Sequence, residues 1–279
     1  MRPMLPIAAA VFALAATWAV AAPRLDCPTL EGAPALKARA PDYVLFGEAH
    51  GTKELPALFG DLVCAYAASG AVTVGLEFLP AEQAALDAYL ASDGGAQARA
   101  TLLASAGWSD RGGRASVAIL DLIDRLREFK AAGADLTVVA FDHAGDNPAS
   151  TSDARESGMA RHLMAAKAAR PAAPLLALTG IGHAGKSAWT SFNPPFPAMS
   201  QHLPADRTVA TTFVRGGGEV WACRSPSQGA PQECRVWPST AREAIPARGI
   251  RPDASREGFD AVVSPGAPYS GSPPARDAK

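Results

Sequence analysis

The sequence predicts an α/β domain with a mostly parallel central sheet, helices on both faces, and an antiparallel hairpin extension toward the C-terminus. Two observations predict it. Four short apolar runs alternate with segments whose apolar residues recur at helical spacing, which is how crossover helices build a parallel sheet. The runs are also nearly unbroken in apolar character, as strands covered on both faces must be. A length of 279 residues admits one large or two small domains; residues 23 to 264 are read here as one.

The chain opens with Arg2, an apolar stretch from Leu5 to Val20 and the small-x-small site Ala19-Val20-Ala21. That layout makes residues 1 to 22 a cleaved secretory signal, too short for a comfortable membrane span. Cys27 lacks a lipobox before it. The expected location is therefore periplasmic or secreted, with no stable membrane insertion after signal removal.

Tyr43 to Phe46 is the first strand, followed by a helix from Lys53 to Ser69 with Leu55, Leu58, Phe59, Leu62, Val63 and Tyr66 on one face and Gly70 as its stop. Val72 to Phe78 is the second strand, and helices follow over Ala81 to Ala91 and Gly94 to Ala106. After a loop from Trp108 to Gly113, Ser116 begins a long helix through Leu120, Ile123, Leu126 and Phe129, ended by Gly133. Leu136 to Phe141 is the third strand, Ser152 to Ala169 a helix, and Leu175 to Thr179 the fourth strand. Beyond Gly185 the texture changes. A Pro-rich loop at Phe192 to Pro197 precedes expected antiparallel additions at Thr208 to Val214 and in a hairpin of Glu219 to Arg224 with Glu233 to Trp237. Gly258 to Ser264 reads as a last strand and residues 265 to 279 as an irregular tail, rich in Gly, Pro and Ser.

The four cysteines are even in number and form no CxxC pair, so in an oxidising compartment disulfides are favoured over zinc. Of three possible pairings, the hairpin favours Cys223 with Cys234, leaving Cys27 with Cys64 to tie the N-terminal segment to the first helix. A net charge of −1 without a Lys/Arg run argues against nucleic acid or an anionic membrane as partner. A small-molecule ligand or substrate fits better.

Ligands of open parallel sheets bind beyond the carboxyl ends of the strands, and those ends carry the polar residues of interest. The first strand leaves through Gly47, Glu48 and His50, the second ends at Glu77, the third at Asp142 and His143, and the fourth leaves through Gly180, Gly182 and His183. Glycines beside the histidines permit a sharp turn or a close ligand approach. His162, in a helix, and His202, in a loop, are read as surface residues. GIGHAG at Gly180 to Gly185 matches a dinucleotide fingerprint, but Asn193-Pro194-Pro195 interrupts the helix that such a fingerprint needs next. GxSxG and HExxH are both absent.

GEAHG at Gly47 to Gly51 with Glu54, GLEF at Gly75 to Phe78, DRGGRAS at Asp110 to Ser116, AFD at Ala140 to Asp142 and LTGIGH at Leu178 to His183 together resemble the superfamily that joins erythromycin esterase-like proteins, ChaN-like haem-binding lipoproteins and the Tiki/TraB group. FDAVVSPGAPYSGSPPA at Phe259 to Ala275 is similar to the ending of exported members, so the resemblance spans Tyr43 to Ala275. The family's two GxxH elements, Glu and Arg fall on Gly47 to His50, Gly180 to His183, Glu77 and Arg114, with Arg111 and Arg155 as alternatives for the arginine. Esterase members carry GExxHG where this chain has GEAHG, which weighs against macrolide-ring hydrolysis.

The resemblance implies an ester or related hydrolase. In that reading His50 takes a proton from water, Glu48 or Glu77 holds its imidazole, His183 donates to the leaving group, and Arg114 is a fixed positive charge. Gly47, Asp142, His143, Gly180 and Gly182 would contact the ligand. His50, Glu77 and His183 are also of the types that hold a divalent metal, and the Tiki group is described as metal-dependent. The ChaN-like branch implies a non-catalytic alternative, haem or another ligand bound through His50, His183 or Tyr43.

Overall fold

The computed structural model describes residues 25–144, 152–227 and 229–277, so the expected signal segment at residues 1 to 22 lies outside the described residues. In chain order the elements that position the site are α1 (Ala33–Ala38), β1 (Tyr43–Glu48), α2 (Glu54–Ala67), β2 (Val72–Leu76), α3 (Gln83–Leu90), α4 (Ala96–Ala104), α5 (Val117–Ala131), β3 (Leu136–Ala140), α6 (Asp153–Ala169), β4 (Leu175–Gly180) and the one-turn α7 (Ile181–Ala184). Then come β5 (Thr208–Phe213), the hairpin β6 (Gly218–Arg224) and β7 (Glu233–Ser239), β8 (Gly249–Pro252) and β9 (Ala261–Ser264). The main sheet has the order β3-β2-β4-β1-β5-β9-β8. Every pairing in it is parallel except β8 with β9.

The two-residue period of a strand divides the core. Val44 and Phe46 of β1 face a cluster that includes Leu58 and Leu62 of α2 and Ile123 and Leu126 of α5. Their neighbours Tyr43 and Leu45 face Met159 and Leu163 of α6 on the other side. Helices therefore cover both faces, and β1, β2 and β4 are buried along their whole length, which explains their unbroken apolar runs.

One expectation is corrected. Thr208 to Val214 is not an antiparallel addition: β5 pairs parallel with β1 and with β9 inside the main sheet. Five of its six residues are buried, the pattern of an interior strand. The hairpin is antiparallel as expected and forms a separate sheet. Both expected disulfides are present, Cys27–Cys64 and Cys223–Cys234. Among the described residues no helix is long and apolar enough to cross a membrane.

The segment after β9 has little regular structure yet is packed: Tyr269, Ser272 and Ala275 are buried. Its backbone laces the first strand loop to the start of α5. Lys53 N donates to Ser270 O at 3.0 Å, Ser272 N to Gly51 O at 2.8 Å, and Val117 N to Pro273 O at 2.9 Å.

Candidate active site

The order β3-β2-β4-β1 sets the four polar strand ends side by side, and the side chains meet. Glu48 continues the alternation of Val44 and Phe46 at the end of β1 and is 3% exposed. Its Oε1 accepts from His50 Nδ1 at 2.8 Å. That bond turns His50 Nε2 toward Glu77, 3.6 Å from Oε2. From the other side His183, on α7, binds Glu156 Oε1 through Nδ1 at 2.7 Å, and its Nε2 lies 3.7 Å from Glu77 Oε1. Two imidazole–carboxylate pairs thus address the two oxygens of one carboxylate.

Glu77 is fixed in place. Its Oε2 accepts from Thr179 Oγ1 and from Gly180 N, both at 2.8 Å, and its Oε1 from Arg155 at 3.1 Å. Arg155, near the start of α6, grips Asp142 with two prongs at 2.8 and 3.0 Å, a bidentate geometry that sets its plane. It also reaches His183 Nε2 at 3.4 Å. A guanidinium only donates, so this contact is a hydrogen bond in the tautomer that carries its proton at Nδ1, facing Glu156. Glu156 Oε2 in turn accepts from Met199 N at 2.7 Å.

Arg114 is the outer guanidinium. Asp110 holds its Nε at 3.0 Å, and NH1 lies 3.3 Å from Asp142 and 3.9 Å from Glu77. The arginine left open by the sequence thus resolves into two, with Arg155 buried and Arg114 34% exposed at its side chain. Arg111 serves elsewhere, its carbonyl accepting from Trp221 Nε1 at 2.8 Å.

Burial alone would lower the pKa of His50, but the Glu77 charge and the bond to Glu48 outweigh it and push the imidazole up to about 10. Burial would likewise raise Glu77, yet its cationic neighbours, His50 foremost, hold it well below the usual carboxylate range. His50 is therefore an imidazolium at neutral pH.

A cavity of about 270 Å³ opens beside this cluster, lined by Glu77, Asp110, Arg114, Asp142 and His143 among others. His50 flanks it in a narrow cleft shared with Glu77 and Arg114, and 25% of its side chain is exposed against 9% for His183. Trp189 covers His183, ring to ring at 5.8 Å, and Phe192 and Phe196 extend that aromatic wall.

The glycines divide in role. A Cβ on Gly180 would sit 2.9 Å from His50 Nε2, so only glycine lets the strand pass between the two imidazoles. At Gly182 a Cβ would strike the Trp189 ring at 2.2 Å; its bareness makes room for that ring. Gly47 packs against the backbone of β5 and α7. His143 lines the cavity and stacks edge-on with His162 at 5.4 Å. His162 is not a surface residue: it is partly buried, with Nδ1 3.1 Å from the carbonyls of Phe141 and Asp142. Sequence reasoning missed Glu156 and Asp110 and held Arg155 only as an alternative; the adjacent Arg155-Glu156 pair in the first turn of a helix was the signal for two of them, and the spacing of Asp110 four residues before Arg114 the signal for the third.

The donor set does not suit a metal. The Arg155 guanidinium stands where a cation would bind His183 Nε2, and no group of three or more His, Cys, Asp or Glu among the described residues is arranged to hold an ion. It does not suit haem either. Both Nε2 atoms face Glu77 rather than an apolar slot, and Tyr43 sits in the core at the opposite end of β1.

No family model matches the chain, and no curated protein matches it. Solved structures do. A mutant of the erythromycin esterase EreC in its open conformation is 14% identical, with a TM-score of 0.56 over 83% of this chain and 89% of that one. A succinoglycan biosynthesis protein is 13% identical, with a TM-score of 0.53 over 75% of each chain, and a Bacillus cereus protein is 13% identical, with a TM-score of 0.51 over 80% of this chain and 78% of that one. With its parallel sheet and two-face helix cover, the chain shares the fold of the erythromycin esterase EreC.

Proposed function

We propose that the protein is an exported hydrolase acting on an ester or related bond of a small molecule. One observation carries this: two imidazoles, each anchored at Nδ1 by its own carboxylate, bring Nε2 to within 3.6 and 3.7 Å of the two oxygens of Glu77. The two disulfides and the signal-like residues 1 to 22 support export.

The proton states favour roles opposite to those expected from the sequence. His50, protonated at neutral pH, is the acid and gives its Nε2 proton to the leaving oxygen. His183, with its lone pair at Nε2, takes the proton from water as the water oxygen attacks the carbonyl carbon. Arg114, the outer guanidinium, stabilises the oxyanion. Glu77, in reach of both rings, returns the proton from His183 to His50 after each turnover. No covalent intermediate is required.

Chromogenic esters test this reading. His50→Ala and His183→Ala should each lower kcat/KM by about 10²–10⁴-fold, and rates equal to wild type in both would remove the site. With His50 as the acid, the rate falls as pH rises toward about 10. A rate that climbs through that window would make His50 the base instead.

A further inference from the structure

A second cavity, of about 310 Å³, lies on the far side of the same two loops. Its lining includes Ala49, between Glu48 and His50, and Ile181, two residues before His183. The electrostatics are inverted: where the reaction cavity is walled by Glu77, Asp110 and Asp142, this one is lined by Arg215, Arg224 and Arg242 against the single acid Glu219.

The state of those arginines distinguishes this cavity from others rich in cations. In the cavity at the opposite end of the sheet, Lys167 and Arg207 both pair with Asp42 at 2.9 Å. Here, among the described residues, the guanidiniums of Arg215, Arg224 and Arg242 make no ion pair within 4.0 Å. Glu243, near Arg215, is paired with Arg256. Three guanidiniums around one concavity, with Glu219 in its wall and Glu243 beside Arg215, leave a net positive charge, and an anion relieves their mutual repulsion. Guanidinium groups match carboxylate, sulfate and phosphate oxygens through paired N–H donors. The remaining wall is apolar: Phe213 and Tyr269, edge to face at 5.9 Å, and Val220.

We propose that this cavity binds a small organic anion, an oxyanion group of the phosphate, sulfate or carboxylate type on an apolar or aromatic body. The arginines take the charge, and Phe213, Val220 and Tyr269 take the body. The site is separate from the reaction centre and does not depend on the catalytic reading.

Calorimetric titration at fixed ionic strength tests it, with phenyl phosphate, inorganic phosphate and phenol as probes. Phenyl phosphate should bind, inorganic phosphate more weakly, and phenol without detectable heat. The Arg224→Gln/Arg242→Gln variant should weaken phenyl phosphate by at least about tenfold, the scale of a lost hydrogen bond to a charged group, while His50→Ala leaves it unchanged. All three arginines are exposed, so these variants should keep the wild-type unfolding midpoint, and Arg242→Gln alone provides a milder check. The proposal is overturned if phenyl phosphate gives no heat, if the arginine variants bind it as wild type does, or if inorganic phosphate binds as tightly. Loss of binding in His50→Ala would also overturn it, by moving the anion into the reaction cavity.

Discussion

The two histidine stations are built from the same parts and behave differently. His50 and Glu48 lie two residues apart, at the mouth of a strand, with part of the ring open to solvent. His183 and Glu156 are 27 residues apart, on separate helices, and Trp189 covers the ring. Both rings lie between two carboxylates, His50 between Glu48 and Glu77 and His183 between Glu156 and Glu77; His183 alone also meets a guanidinium, at Nε2. A guanidinium beside Nε2 opposes a second proton on that ring, and His50 has no such neighbour. The lesson is that Arg155, rather than either histidine, makes the pair unequal.

Removing Arg155 is the most direct way to break that inequality, and it has the largest expected effect. Arg155→Ala leaves Asp142 buried without its bidentate partner and takes one cation from Glu77, and should cost about 3–5 kcal/mol of stability. A denaturant midpoint equal to wild type would show that the guanidinium is not needed to hold the cluster. The carboxylates sharpen the comparison at a smaller scale. Glu156→Gln should destabilise more than Glu48→Gln, because Glu156 is fully buried and also accepts from Met199 N; each loss lies in the range of about 1.5–3 kcal/mol for a bond to a charged group. Equal losses would mean the two stations are energetically alike.

The comparison can also be sharpened through pH dependence. His50 has its pKa raised in the folded state, so its contribution to stability is complete below its ordinary value of 6.5 and is lost as pH rises toward about 10. Glu77 has the opposite sign: its contribution is present above 4.5 and lost as pH falls below that. Unfolding midpoints measured across the alkaline window should decline for wild type and flatten for His50→Gln. The same slope in both would detach the shift from His50.

Much of this was legible in the sequence. Four apolar runs gave the strand ends, and those ends carried His50, Glu77, Asp142 and His183, all of which meet. A parallel strand is buried on both faces and so advertises itself by composition. Partnership is another matter: nothing in Thr208 to Val214 states which edge it joins, and the strand proved parallel between β1 and β9. Arg155 and Glu156 were obscure for a different reason. They come from the first turn of α6, where charged residues ordinarily face water, and only the packing of that helix against the sheet turns them inward.

The lacing segment from Tyr269 to Ala275 has a consequence for how the site is assembled. It bonds to Gly51 and Lys53 on one side and to Ala115 and Val117 on the other, residues that flank His50 and Arg114. The His50 loop and the outer guanidinium are thus held together by a strap distant from both in sequence, so their spacing is set by backbone that neither supplies.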